Sequence, residues 1–192
     1  DPALGARIER LRDEFIYSGR QLDVESLRQL REKQWAIKVE PVETTAPINR
    51  AGINRLARSD NAKFSPGALV DLEYDVQILQ IMHAQNFPKL RTPRIHAALE
   101  ALAELGVLTA EESQELTGAY YFLRRLINGL RMLRGSARDL CLPPEGALEF
   151  THLARRMGYK KTPEMTPEQQ LRVDFATQTA TVRAFVERHF GR

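Results

Sequence analysis

Helix-start residues in this chain are repeatedly followed by apolar side chains spaced three and four apart, a rhythm that favours helices over strands. Asp1 with Pro2 opens the first such stretch, whose apolar face is Leu4, Ile8, Leu11 and Phe15. Asp23 opens a second, with Val24, Leu27, Leu30 and Ile37 inward. Pro41 and Pro47 bracket a loop, a short helix is expected from Ile48 to Arg58, and Ser59-Asp60-Asn61 breaks it. A long helix after Pro66 carries Leu69, Leu72, Val76, Leu79 and His83 at helical spacing and closes at Asn86-Phe87-Pro88. Thr92-Pro93 opens the next, with Ile95, Ala98, Leu99, Leu102 and Leu105 on its face, and Gly106 ends it. Thr109 with Glu112 reads as a capping box before Leu116, Tyr120, Leu123, Ile127 and Leu130, in a helix that ends near Gly135. Two more helices are expected, from Glu145 to Met157, closed by Gly158, and from Pro167 to His189, opened by Thr166 with Gln169. The gaps at 136–144 and 159–166 read as linkers. The pattern predicts an all-α, multi-helix bundle of seven to eight helices. They are too short, and their apolar faces too wide, for a coiled coil.

Composition removes several classes of function. Hydrophobic residues at 43% and charged residues at 28% suit a folded globular chain. The net charge is only +3, with acids and bases interleaved, so a pI of 9.2 gives nucleic-acid binding little support. The single cysteine, Cys141, has no internal disulfide partner and reads as a small buried hydrophobe between Leu140 and Leu142. Nothing argues for secretion, no membrane span or signal peptide is expected, and a cytoplasmic location follows. The chain opens on Asp1-Pro2 without an initiator Met, so a piece of a longer protein is expected.

The segment Lys63-Phe64-Ser65-Pro66-Gly67-Ala68-Leu69-Val70-Asp71-Leu72-Glu73-Tyr74-Asp75-Val76-Gln77 carries the most chemistry. A glycine-containing loop runs into a helix with acids at Asp71, Glu73 and Asp75. Free N–H groups and the dipole favour acids at a helix start, but three within five residues exceed what capping needs. On a helical wheel the apolar face centres on Leu72, Val76 and His83, with Glu73, Gln77 and Gln80 on one flank and Asp71 and Asp75 on the other. Glu73 and Gln77 are placed to hydrogen-bond a ligand or a neighbouring domain. A solvated helix with ordinary polar flanks fits the same pattern, and periodicity does not choose between the two.

That segment resembles K-x-x-x-G-G-[LI]-x-[DE]-[IVL]-E-[FY]-x-x-Q, a pattern of the glutamine synthetase adenylyltransferase/adenylyl-removing enzyme family. Ala119-Tyr120-Tyr121-Phe122-Leu123-Arg124-Arg125 is similar to the family's A-Y-x-F-L-R-R. Leu99 to Leu108 resembles its short helix ending in G-[LV]-L, and Asp139-Leu140-Cys141-Leu142-Pro143 its leucine-proline exit. The resemblance runs from about 60 to 143, is weaker over 1–59 and fades after 144. It implies a helical domain following a polymerase-β-like nucleotidyltransferase domain, in an enzyme that moves AMP between ATP and a tyrosine of glutamine synthetase or removes it by phosphorolysis. It divides the chain into 1–59, a helical connector to a missing catalytic domain; 60–143, the helical domain; and 144–192, a C-terminal helical pair packed on it. Carried over by position, the residues facing the active site or the neighbouring domain are Lys63, Gly67, Asp71, Glu73, Gln77 and Arg124. Lys63 would meet phosphate charge. ATP and Mg²⁺ are implied for the full-length enzyme, and none for this fragment.

Two departures matter. Ala68 stands where the family has its second glycine, which implies a tighter or less mobile loop. Ile127 stands where one family branch has a carboxylate, which weakens a deadenylylating role. The catalytic Gly-Ser turn followed by Asp-x-Asp is missing: no Asp-x-Asp occurs, and Gly135-Ser136 has no acid pair after it. The chain alone is therefore expected not to catalyse nucleotidyl transfer.

Other features have plain readings beside sharper ones. His83, on an apolar face, reads as packed rather than metal-bound, and His96, His152 and His189 are scattered. Arg124, Arg125, Arg131 and Arg134 form either a salt-bridged edge or a phosphate contact. Arg155, Arg156, Lys160 and Lys161, beside Tyr159, are the densest basic cluster, and RNA binding there is not expected. The alternative to an enzyme fragment is a regulatory docking module for glutamine synthetase or a PII-like protein, with no catalytic role.

Overall fold

The computed structural model describes residues 1–17, 26, 29, 60–136 and 139–191. Among them are six α-helices: α1 (Pro2–Ile16), α2 (Leu69–His83), α3 (Ile95–Glu104), α4 (Ala110–Arg134), α5 (Leu148–Arg156) and α6 (Pro167–Phe190). A short 3₁₀ turn spans Pro88–Leu90. No strand occurs among the described residues, only an isolated antiparallel bridge between Asn61 and Cys141. The all-α expectation holds: of the seven to eight helices predicted, six are complete among the described residues. The helix expected over Ile48–Arg58 and the Pro41–Pro47 loop lie outside the described residues. So does most of the helix expected after Asp23, of which Ser26 and Gln29 are helical.

The caps read from the sequence are formed. The Asp1 carboxylate accepts from Ala3 N–H at 2.9 Å. At α4, Thr109 N–H donates to Glu112 at 2.9 Å and Glu112 N–H to Thr109 Oγ1 at 3.1 Å. Thr166 and Gln169 make the same reciprocal pair at α6, at 2.9 and 3.3 Å. Such pairs satisfy N–H groups that the first helical turn leaves without partners.

The described residues fall into two compact units, 1–17 with 73–117, and 60–72 with 118–191. In the first, Val76, Leu79, Leu90, Ala98, Leu99 and Leu102 are buried. Gln80 ties this unit's turn down, its amide donating to the carbonyls of Leu90 (2.6 Å) and Thr92 (2.8 Å). Arg91 donates to the carbonyl of Ala84 at 3.0 Å, filling an acceptor that the end of α2 leaves open. Leu105 was expected inward and is 38% exposed, because α3 has already ended at Glu104. No residue of α1 is buried.

The second unit is built on Leu123, Leu126, Ile127 and Leu130 of α4, Phe150 and Leu153 of α5, and Leu171 and Phe175 of α6. Residues 139–142 are strapped to 60–62 rather than hanging as a free linker: Ala62 N–H donates to Leu140 O and Leu142 N–H to Asp60 O, each at 2.9 Å. Arg134 gathers this corner, donating to Glu149 at 2.6 Å and to the carbonyls of Asp139 and Cys141 at 3.1 and 2.9 Å. Cys141 is half-buried at this strap, not the enclosed hydrophobe expected, because its backbone forms the bridge.

The turn that follows α5 makes a titratable hydrogen bond to α6. Tyr159 is half-buried and its hydroxyl donates to the Asp174 carboxylate. Burial, then that carboxylate, hold the phenol well above its ordinary value near 10. The folded value lies above the unfolded one. The protonated form therefore favours folding below about pH 10, and the contribution is lost as pH rises beyond it. Tyr159→Phe is expected to flatten the fall in stability above about pH 10. Chemical denaturation at neutral and alkaline pH checks this.

Candidate functional site

The lead-in to α2 is locked from both sides. Asn61 organises it as an Asx turn: its side-chain oxygen accepts from Lys63 N–H at 2.9 Å and Phe64 N–H at 3.0 Å, while its own N–H donates to Ser65 Oγ at 2.7 Å. The loop then folds back on the helix it launches. Leu69 N–H donates to Ala62 O at 3.4 Å and Val70 N–H to Lys63 O at 3.1 Å. These two N–H groups are thereby taken up by the loop, and are not an open seat for an anion.

Gly67 has φ +76, a backbone state that costs other residues strain. A Cβ there would lie 2.1 Å from the Thr179 carbonyl oxygen and 2.8 Å from Arg183 Cγ. The loop thus rests on the backbone of α6, and Arg183 clamps it by donating to Pro66 O at 3.2 Å. Gly67 N–H donates to Asp71 Oδ2 at 2.8 Å, so the acid in the first turn of α2 holds the loop's own backbone. Ala68, in the place of the resembled family's second glycine, is fully buried.

Of the residues singled out by sequence, the structure brings Gly67 and Asp71 together by that bond. Lys63 lies over the Phe64 ring, its Nζ 4.9 Å from the centroid. Arg124 is exposed on α4, its guanidinium 5.9 Å from the Tyr120 ring centre. Glu73 and Gln77 belong to the other unit, where Glu73 is half-buried and Gln77 exposed.

One part of the wheel reading is corrected. Asp71, Asp75 and Gln80 are buried instead of lining wet flanks, with Asp75 completely enclosed. The reason is in the helix's own sequence. Leu69, Val70, Leu72, Tyr74, Val76, Ile78, Leu79, Ile81 and Met82 put apolar side chains around the whole circumference, and such a helix is buried on most sides.

Two of the four arginines in the basic stripe on α4 are taken up by internal bonds. Arg134 holds Glu149, and Arg125 donates to Met157 O at 2.6 Å. Sequence reasoning passed over Asn61, Thr179 and Arg183, which hold the loop. Only Asn61 had a local signal, the tendency of Asn to bond its own backbone two residues on. Among the described residues no group of three His, Cys, Asp or Glu side chains could hold a metal ion. No described helix is long and apolar enough to cross a membrane.

Comparison with known proteins places the sequence in a family. Residues 43–190 match the family described as GlnD PII-uridylyltransferase. The bifunctional glutamine synthetase adenylyltransferase/adenylyl-removing enzyme of Xanthomonas axonopodis pv. citri is 36% identical over 154 residues, 80% of this chain and 15% of that protein. The enzyme of the same description from Streptomyces avermitilis is 31% identical over 159 residues, covering 83% of this chain and 15% of its own length. This chain therefore spans about 15% of the length of these relatives. On the match over 43–190, the chain belongs to the GlnD PII-uridylyltransferase family, and its relatives include the bifunctional glutamine synthetase adenylyltransferase/adenylyl-removing enzymes.

Proposed function

We propose that this chain is a helical, non-catalytic portion of a longer nucleotidyltransferase that transfers AMP from ATP to a tyrosine of a protein acceptor, glutamine synthetase being the acceptor that its relatives' names indicate. The observation that carries the reading is the match of 43–190 to the family, together with relatives more than six times this chain's matched length. ATP would supply the AMP, its α-phosphorus bonding to the tyrosine oxygen as pyrophosphate leaves, and Mg²⁺ would neutralise the triphosphate charge. The sequence has no Asp-x-Asp, and the described residues offer no acid cluster, so both are assigned to a catalytic domain elsewhere in the protein.

This chain's own part is mechanical. Asn61, Gly67 and Asp71 fix the loop, and α6 underlies it. Glu73, Gln77 and Arg124, which keep solvent access, are the side chains offered to a neighbour. In this role they position a catalytic domain and touch no reacting atom. A regulatory contribution to nitrogen metabolism, with glutamine synthetase or a PII-like protein docking on the same helices, belongs to the same reading.

The test is an AMP-transfer assay with labelled ATP, Mg²⁺ and glutamine synthetase. The full-length product is expected to label the acceptor, and this 192-residue chain alone to leave it unlabelled. Labelling by the chain alone would overturn the non-catalytic role. No labelling by the full-length product would overturn the proposed reaction.

A further inference from the structure

The outer side of α4 carries a ridge of regular spacing. Gly118, Tyr121, Arg125, Asn128 and Met132 follow one another at intervals of three, four, three and four, and all are exposed, Tyr121 by 53% and Met132 by 68%. At about 100° per residue they share an arc of about 80°. Leu123, Leu126, Ile127 and Leu130, on the opposite side, fill the core. Tyrosine, methionine and arginine are enriched at protein interfaces, while Lys, Glu, Asp, Ser and Ala are depleted there. None of those depleted types stands on the ridge. Gly118 is a separate observation. Glycine weakens a helix interior, and its uses are a positive φ or the close approach of another backbone. Gly118 lies within α4, and among the described residues nothing comes within 4 Å of an added Cβ. Neither its own backbone nor internal packing calls for glycine, whereas a helix laid across the ridge does.

We infer that this ridge docks an amphipathic helix of a partner protein, apolar along one side and acidic along its edges. Charge selects that occupant. From 118 to 134 the chain has arginines at 124, 125, 131 and 134 and no Asp or Glu, and Arg134 is held by Glu149. Arg125 donates to Met157 O at 2.6 Å, which joins the ridge to the end of α5. There Arg155, Arg156, Lys160 and Lys161 are exposed, and no acid occurs from 150 to 163. Residues 18–59 of this chain carry eight Lys and Arg against five Asp and Glu, so they do not supply the complementary charge. Nor does a second copy laid ridge to ridge. Arg125 is the middle residue of the five, and either direction sets it against its own counterpart. Nucleic-acid interfaces are more polar and more cationic than protein ones, and Tyr121 and Met132 put apolar area on the ridge itself. Docking here requires no AMP transfer, so its test does not depend on the reaction proposed above.

The probe is a labelled synthetic peptide of about three heptads, with leucine at a and d and glutamate at e and g, whose like charges keep it from pairing with itself. Fluorescence anisotropy follows its titration with the full-length product. It is expected to bind at least tenfold more tightly than a scrambled peptide of equal composition, and to weaken as salt rises. Gly118→Leu has room for its side chain and a better helix former, so its unfolding midpoint should be no lower than the parent's. It should nonetheless weaken the peptide about tenfold, by holding the two backbones apart. Tyr121→Ala should cost about as much, through lost contact area. Equal affinity for ordered and scrambled peptides would reduce the ridge to unspecific charge. Undiminished binding by Gly118→Leu, or no binding by the parent, would overturn the inference. Tighter binding of a single-stranded RNA oligonucleotide would assign the surface to nucleic acid instead. A dimer in sedimentation that Gly118→Leu abolishes would assign it to a second copy.

Discussion

Gly67→Ala is expected to destabilise this protein by about 3–5 kcal/mol, the largest effect of any single methyl that the structure allows us to name. Two costs combine. The left-handed backbone at φ +76 strains any residue with a Cβ, and the added carbon would sit 2.1 Å from the backbone oxygen of Thr179. A flexible side chain could swing away, but a helical carbonyl in the middle of α6 cannot. Either the loop lifts from α6, breaking the Arg183–Pro66 and Gly67–Asp71 bonds, or the helix distorts. Thermal unfolding followed by circular dichroism should show a midpoint lower by about 10 °C. Gly106→Ala is the matched control. It has φ +79 but nothing within 4 Å of the added carbon, so it carries the conformational cost alone, about 1 kcal/mol. Equal losses at the two glycines would show that the contact with α6 contributes nothing.

The second large effect is functional and concerns α2. Gln77 is exposed and Glu73 half-buried, while the acids beside them are enclosed. Substituting Gln77 removes little packing, so the fold should tolerate it within about 0.5 kcal/mol. If Glu73 and Gln77 brace a catalytic domain, their loss shifts reacting groups that depend on sub-ångström placement. The combined Glu73→Ala, Gln77→Ala change is then expected to slow AMP transfer by about tenfold or more in the full-length product. An effect on rate without an effect on folding separates positioning from structure.

The fold was legible where its causes are local. Thr109 with Glu112 and Thr166 with Gln169 are three-residue signals, and both formed the reciprocal bonds they predict. The burial of Leu123, Ile127 and Leu130 follows from spacing along one helix. What the sequence could not show joins residues far apart. The strap between 60–62 and 139–142, the seat of Gly67 on Thr179 and the Arg183 clamp have no pattern in either partner's neighbourhood. The enclosure of α2 is written in its nine apolar side chains, which surround the helix instead of forming one face.

The central claim is that this chain positions a reaction carried out by another part of the protein. The most direct measurement is the initial rate of AMP transfer by the full-length product carrying Glu73→Ala and Gln77→Ala, at a temperature where parent and variant are equally folded. The account predicts a rate reduced by about an order of magnitude. A rate equal to the parent's would contradict it.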